Sequence, residues 1–257
     1  MVGICALCLK EKDLISQSHI IPKFFYKQHN LYNDKQKILE FDLHNLPNPS
    51  KSLPSPDYDE YIMCQKCDGE RISSLETYGK IVFYNDKLSD RLSPNVVWES
   101  HGFNESSFHC SNVDYTKYKL FLLSILWRCS ISKREFFQEV KLGDKHNEKI
   151  RKMIYTNNPD DIDIYPILLG TYIKQQEIGT DLIIQPKKHK KDGQTTYHFL
   201  IGGIVYIFLV SSHSCPEIFL NCSINKSNEM RIINIPEGRV MDLIKSFVST
   251  TNSGYKQ

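Results

Sequence analysis

The sequence predicts an α+β fold: a small cysteine-bearing N-terminal unit, a helical segment, and a mostly antiparallel β-sheet closed by a C-terminal helix. Three observations predict it. Two C-x-x-C pairs, Cys5 with Cys8 and Cys64 with Cys67, bracket the first unit. An apolar stretch with spacings of three and four residues follows Asp114. From about Asp163 the pattern changes to short apolar runs separated by turn residues, which reads as strands. The expected division is 1–90 and 91–257.

In the first unit, "QKILEFDLHNL" alternates enough for a strand, and "DEYIMC" reads as its return across a Pro/Ser-rich loop, "LPNPSKSLPSPDYDEY". "CDGERISSLETYGKIVFYND" predicts a helix, with Ile72, Leu75, Gly79, Val82 and Phe83 on one face. Residues 91–113 read as a connector. A core helix follows, capped by Asp114, with Tyr118, Phe121, Leu122, Ile125 and Cys129 as its inner stripe. "GDKHNEKIRKMIYTNNP" predicts another helix with Asp144 as cap. The expected strands are "IYPILLGTYI", "TDLIIQP", "TYHFLI", "GIVYIFLVSS", "EIFLNCSI" and "MRIINIP". The paired glycines of "FLIGGIVYIFLV" place a bend between two buried strands. "EGRVMDLIKSFVST" closes the chain as a helix.

The 257 residues are 40% hydrophobic and 24% charged, a globular composition. A net charge of +2 neither requires nor excludes nucleic acid; a dedicated non-specific binder is usually more basic. "MVGICALCLKEKD" lacks the apolar core of a signal peptide, and the apolar run from Phe199 to Val210 is too short for a membrane helix. A cytoplasmic protein without a membrane partner is expected. "IGGIVY" has no following helix and so is no dinucleotide fingerprint, and no Gly-x-Ser-x-Gly occurs.

Eight cysteines divide into two classes. Cys110, Cys129, Cys215 and Cys222 are scattered among apolar neighbours and read as buried hydrophobes. Cys5, Cys8, Cys64 and Cys67 have metal-ligand spacing. Two such knuckles clamp one Zn²⁺ in a tetrahedron, and a closed four-thiolate site is structural. The intervening insertion costs little, because loop closure grows slowly with length.

Between the pairs lies "SHIIP", from Ser18 to Pro22. A first C-x-x-C, this strand, then a second C-x-x-C leading into a helix resembles the zinc-containing HNH endonucleases of the ββα-metal class. The resemblance covers about the first 85 residues. It implies His19 as general base, Asp68 at the position of the final histidine, and Arg71 as the following basic residue. It also implies a catalytic Mg²⁺ or Mn²⁺ and a nucleic-acid substrate. The middle Asn falls in the insertion, with Asn45 and Asn48 as candidates. Ser18 stands where many members carry an acidic or histidine ligand. "SHIIPKF" together with "LLSILWR" is also similar to a group of bacterial HNH-like proteins, implying a phage-defence or toxin effector.

The residues themselves leave plainer alternatives. Asp68 opens a helix and can accept backbone N–H bonds as its N-cap. His19 can be a packed histidine, or cap a helix starting after Pro22. Lys187, Lys188, Lys190 and Lys191 form a basic run, expected as an exposed hairpin loop able to meet phosphates. His101, His109 and Cys110 match no common ligand set. Two functions therefore compete. One is a metal-dependent HNH-like endonuclease. The other is a catalytically inactive zinc-binding module for nucleic-acid or protein interaction, with the C-terminal half open to a protein partner.

Overall fold

The computed structural model describes residues 1–28, 38–41, 50–53, 58–84, 93–102, 105–172 and 183–248. Strands β1 (Val2–Ile4) and β2 (Glu11–Asp13) form an antiparallel hairpin around the first cysteine pair. β3 (Ser18–His19) leads through Pro22 into α1 (Lys23–Gln28), and the Pro22 carbonyl accepts from the Phe25 N–H at 3.1 Å. β4 (Ile38–Phe41) pairs with β5 (Ser50–Leu53), so part of the expected Pro/Ser loop is strand. The expected return strand of β4 is therefore displaced: β6 (Tyr58–Asp59) pairs with β3 instead. A π-helical turn, Lys66–Ile72, runs into α2 (Ser73–Tyr84).

The expected connector contains a hairpin, β7 (Asn95–Gly102) and β8 (Glu105–Ser111). Most of β7 is exposed, so it lacks the one-sided alternation that marks a half-buried strand. α3 (Tyr115–Ile131) begins where expected, and the Asp114 carboxylate accepts the Lys117 N–H at 2.9 Å. It is buried nearly all round, including two charged side chains, Lys119 and Arg128. Lys119 donates to the Tyr115 hydroxyl and the Asp161 carbonyl, and burial lowers its pKa to about 8.

α4 (Gly143–Thr156) starts at a Leu142 cap. Asp144 lies inside the first turn rather than at the cap. β9 (Ile167–Thr171), β10 (Ile183–Lys191), β11 (Gln194–Ile201) and β12 (Ile204–Val210) follow. Gly202 and Gly203, at φ 61° and 75°, make the expected bend between β11 and β12; both angles favour glycine. "EIFLNCSI" is not a strand. Glu217–Cys222 is a short helix, α5, entered from an extended Pro216. β13 (Met230–Asn234) and α6 (Glu237–Val248) complete the described chain.

The large sheet runs β5-β4-β10-β11-β12-β9-β13-β8-β7, antiparallel except at β10/β4 and β13/β9. α6 covers one face through Val240 and Phe247, against Leu200 and Val205. The other face meets α3. There Phe24 and Phe25 of α1, Phe83 of α2 and Phe121 of α3 pack as one aromatic cluster, with Tyr206 of β12 beside Phe83 at 6.2 Å. The buried residues of the first unit, from Cys5 and Ile20 to Met63, Cys67 and Tyr78, thus share one core with α3, α4 and the sheet. Among the described residues, no helix is long and apolar enough to cross a membrane.

Candidate functional site

The two cysteine pairs meet through backbone hydrogen bonds. In the first knuckle, the Leu9 N–H donates to the Cys5 carbonyl at 2.9 Å and the Cys5 N–H to Lys10 at 3.0 Å. Leu9 takes φ 57° to close this turn. In the second, the N–H groups of Cys67 and Asp68 both donate to the Cys64 carbonyl. The knuckles join where the Ala6 N–H donates to Ile62, the Ile15 N–H to Met63, and the Cys64 N–H to Cys5 Sγ at 3.4 Å.

All four Sγ atoms lie within 4.8 Å of one another. Tetrahedral Zn–S bonds of about 2.3 Å put sulfurs roughly 3.8 Å apart, so the donor set fits a metal ion such as zinc. Burial raises the Cys5 and Cys67 thiols above the ordinary range, so loading an ion must displace protons. Arg151 of α4 donates to the Leu7 carbonyl inside the first knuckle. Its guanidinium and that of Arg71 both lie over the Tyr155 ring, at 5.9 and 5.2 Å. Arg151 is also paired with Glu148, Nε to Oε2 at 2.6 Å and Nη2 to Oε1 at 2.9 Å, so its own charge is largely balanced there.

His19 lies on β3, which pairs with β6 across the intervening α1, β4 and β5; the π-turn and α2 follow β6 in the chain. It is half-buried. Burial lowers its pKa, Glu76 opposes that shift, and Lys23 and Arg128 reinforce it. The imidazole is accordingly neutral near pH 7. Arg128 Nη1 donates to both the His19 carbonyl, at 2.7 Å, and Glu76 Oε1, at 2.6 Å. Its Nε donates to the Ser124 carbonyl at 3.2 Å, and the side chain is 1% exposed. The strand bearing His19 is thereby tied to α2 and α3 at one point.

Asp68 is not the helix cap. The π-turn already begins at Lys66, and Asp68 lies within its first turn. Burial raises the carboxyl's pKa, Arg128 and the Ser18 hydroxyl hold it down, and Glu76 raises it. Ser18 Oγ is fully buried and makes no hydrogen bond of good geometry. Among the described residues, the four cysteines are the sole group of three or more potential ligands gathered within 4.8 Å. His19, Asp68 and Glu76 form no such group.

Comparison with family models, curated proteins and solved structures gave no match. The side chains themselves therefore carry the functional reading.

The basic run departs from expectation. Pro186 to Lys191 belongs to β10, and the turn lies at Asp192 and Gly193, with φ 50° and 75°. Lys187 is buried and paired with Glu139 at 2.9 Å. Lys188 is half-buried, its ammonium 5.7 Å from the Tyr197 ring centre. Lys190 and Lys191 are exposed. Neither His101 nor His109 is on a loop: His101 bonds Ser107 Oγ at 2.8 Å, and His109 lies between Glu99 and Glu229. Asn45 and Asn48 lie outside the described residues.

Glu76 and Arg128 were not among the residues the sequence singled out. A lone arginine inside the apolar run "FLLSILWRCS" is the signal that exposes Arg128, since a buried base demands a partner. Nothing local marks Glu76 as that partner.

Proposed function

We propose that residues 1–84 form an HNH-like site hydrolysing nucleic-acid phosphodiester bonds, with His19 as general base and a structural Zn²⁺ on the four cysteines. One observation carries this reading: half-buried His19, whose pKa is lowered by burial, has its backbone carbonyl held by Arg128, which also bonds Glu76 of α2. A neutral imidazole takes a proton from water attacking an in-line phosphorus. Arg71, Lys190 and Lys191 are the basic residues left to meet phosphates; Lys187 is buried against Glu139, and the half-buried Lys188 lies over the Tyr197 ring.

The Mg²⁺ or Mn²⁺ of the resemblance does not fit well. Of its two ligand positions, Ser18 offers a fully buried hydroxyl and Asp68 a single carboxylate. Glu76 is already bonded to Arg128. One carboxylate holds Mg²⁺ mainly with the help of substrate phosphates.

The test is cleavage of plasmid and RNA by zinc-loaded protein, with and without added Mg²⁺, Mn²⁺ or Ni²⁺. His19→Ala should lower the rate by about 10²-fold or more, the usual contribution of a positioned base. Undiminished cleavage by His19→Ala removes His19 from the mechanism. A second reading, an inactive zinc-binding module, is favoured by the commitment of Glu76 to Arg128. It predicts no cleavage under any condition, and nucleic-acid or protein binding indifferent to His19→Ala.

A further inference from the structure

We propose that Arg128 is the fixed cation of the His19 site: its buried guanidinium holds the histidine strand and neutralises Glu76, and no divalent ion is recruited beside His19. The first support is geometric. Arg128 Nη1 reaches the His19 carbonyl and Glu76 Oε1 at once, while Nε is anchored on the Ser124 carbonyl of its own helix. Such a side chain has one orientation and one charge state, because a guanidinium does not lose its proton in proteins.

The second support is electrostatic. The same guanidinium, hydrogen-bonded to the His19 carbonyl, lowers the pKa of the His19 imidazole. A Mg²⁺ placed there would share the site with that positive charge. It would find Glu76 taken, Ser18 buried, and no cluster of three ligand atoms among the described residues. A divalent ion lowers its energy by collecting oxygen ligands; this site has spent its second carboxylate on arginine.

Arg128 is 1% exposed, so it does not touch substrate. It is a positioning residue, acting through the His19 backbone and Glu76. The catalytic meaning of that positioning rests on the nuclease reading of His19. The exclusion of the ion does not, and is measured without any activity.

The experiment uses the zinc-loaded full chain with ¹³C-labelled histidine, the His19 resonance being assigned with His19→Gln. Mn²⁺ is titrated into the sub-millimolar range. Unbroadened His19 signals support the proposal; saturable broadening at His19 overturns it. The histidine's titration is then followed in two variants. Glu76→Gln should shift its midpoint down, and Arg128→Met should shift it up, the opposite signs expected of an anion and a cation acting on one imidazole. Identical midpoints in wild type and a folded Glu76→Gln overturn the clamp, even if Arg128→Met fails to fold. If the wild type cleaves nucleic acid, its rate in divalent-free buffer should stay within about threefold of that with Mg²⁺; a tenfold or greater dependence on Mg²⁺ overturns the proposal. Failure to cleave with any ion sinks the nuclease reading alone, and the Mn²⁺ titration still decides this one.

Discussion

His19 and Arg128 are 109 residues apart, yet one hydrogen bond of 2.7 Å joins them. The sequence pattern singles out His19 because its neighbours are local and spaced. It is silent on the Glu76–Arg128 pair because no spacing rule links them. The same limit applies to Lys187, whose charge reads as surface until Glu139 is seen to bury it. Buried titratable groups make a residue-scale prediction about pH. Burial, helped by the neighbouring His189, lowers His198 to about 4, against roughly 6.5 for a free histidine. Between those values the unfolded chain binds a proton that the folded chain refuses. Stability must therefore fall as pH falls through this window. His19, His146 and His189 are lowered by burial and act in the same direction. His198→Gln should flatten the decline of Tm between pH 6.5 and 4.5. An unchanged slope in that variant would show that His198 charges freely in the folded state.

At the scale of elements, periodicity identified α3, α4, α6, β9, the first half of β10, β11, β12 and β13, while the lysine-rich half of β10 reads as loop and α5 as strand. A short apolar run such as "EIFLNCSI" has no period long enough to separate helix from strand. The β7–β8 hairpin escaped for the opposite reason: Val96, Val97 and Trp98 are all exposed, so no face is favoured. Helix packing also explains a glycine that local preference disfavours. Gly79 lies mid-helix in α2, and a Cβ there would come within 2.6–2.7 Å of three ring carbons of Phe121. Phe121 is fully buried in α3 and cannot retreat. Alanine gains about 1 kcal/mol of helix preference over glycine, but overpacking a core costs about 1–3 kcal/mol. Gly79→Ala should therefore destabilise the protein. Gly238, in the first turn of α6, has nothing within 4 Å of its would-be Cβ. Gly238→Ala should be neutral or stabilising by up to about 1 kcal/mol. Urea unfolding of both variants checks the contrast, and a stabilised Gly79→Ala would mean that α2 and α3 can slide apart.

Across the whole molecule, the cysteine centre is bound to distant parts of the chain. α4 reaches into the first knuckle through Arg151 and Leu7, α3 reaches β3 through Arg128, and α1 and α2 join the aromatic cluster on α3. These ties cross the boundary expected near residue 90, and they involve side chains whose partners lie far away in sequence. Their consequence is thermodynamic. If the first unit folded alone, losing its ion would melt residues 1–84 and leave α3 untouched. With one continuous core, the binding energy of an ion held by the four cysteines would contribute to the stability of everything it is packed against. Trp127 is a reporter well placed to decide this: it lies in α3, 1% exposed, with its indole N–H on Asn147 at 2.9 Å. The chain's other tryptophan, Trp98, is on the exposed hairpin and can be replaced by phenylalanine. In Trp98→Phe, removing the metal with a chelator, or adding Cys64→Ser, should lower the melting temperature of the Trp127 fluorescence transition. At roughly 2–4 °C per kcal/mol for a chain of this size, a loss of about 4 kcal/mol moves it by about 10 °C. The transition should remain single and coincide with the loss of far-UV ellipticity. A Trp127 transition indifferent to metal removal, preceded by a separate melting step, would mean that the cysteine unit is energetically independent of the helix that clamps His19.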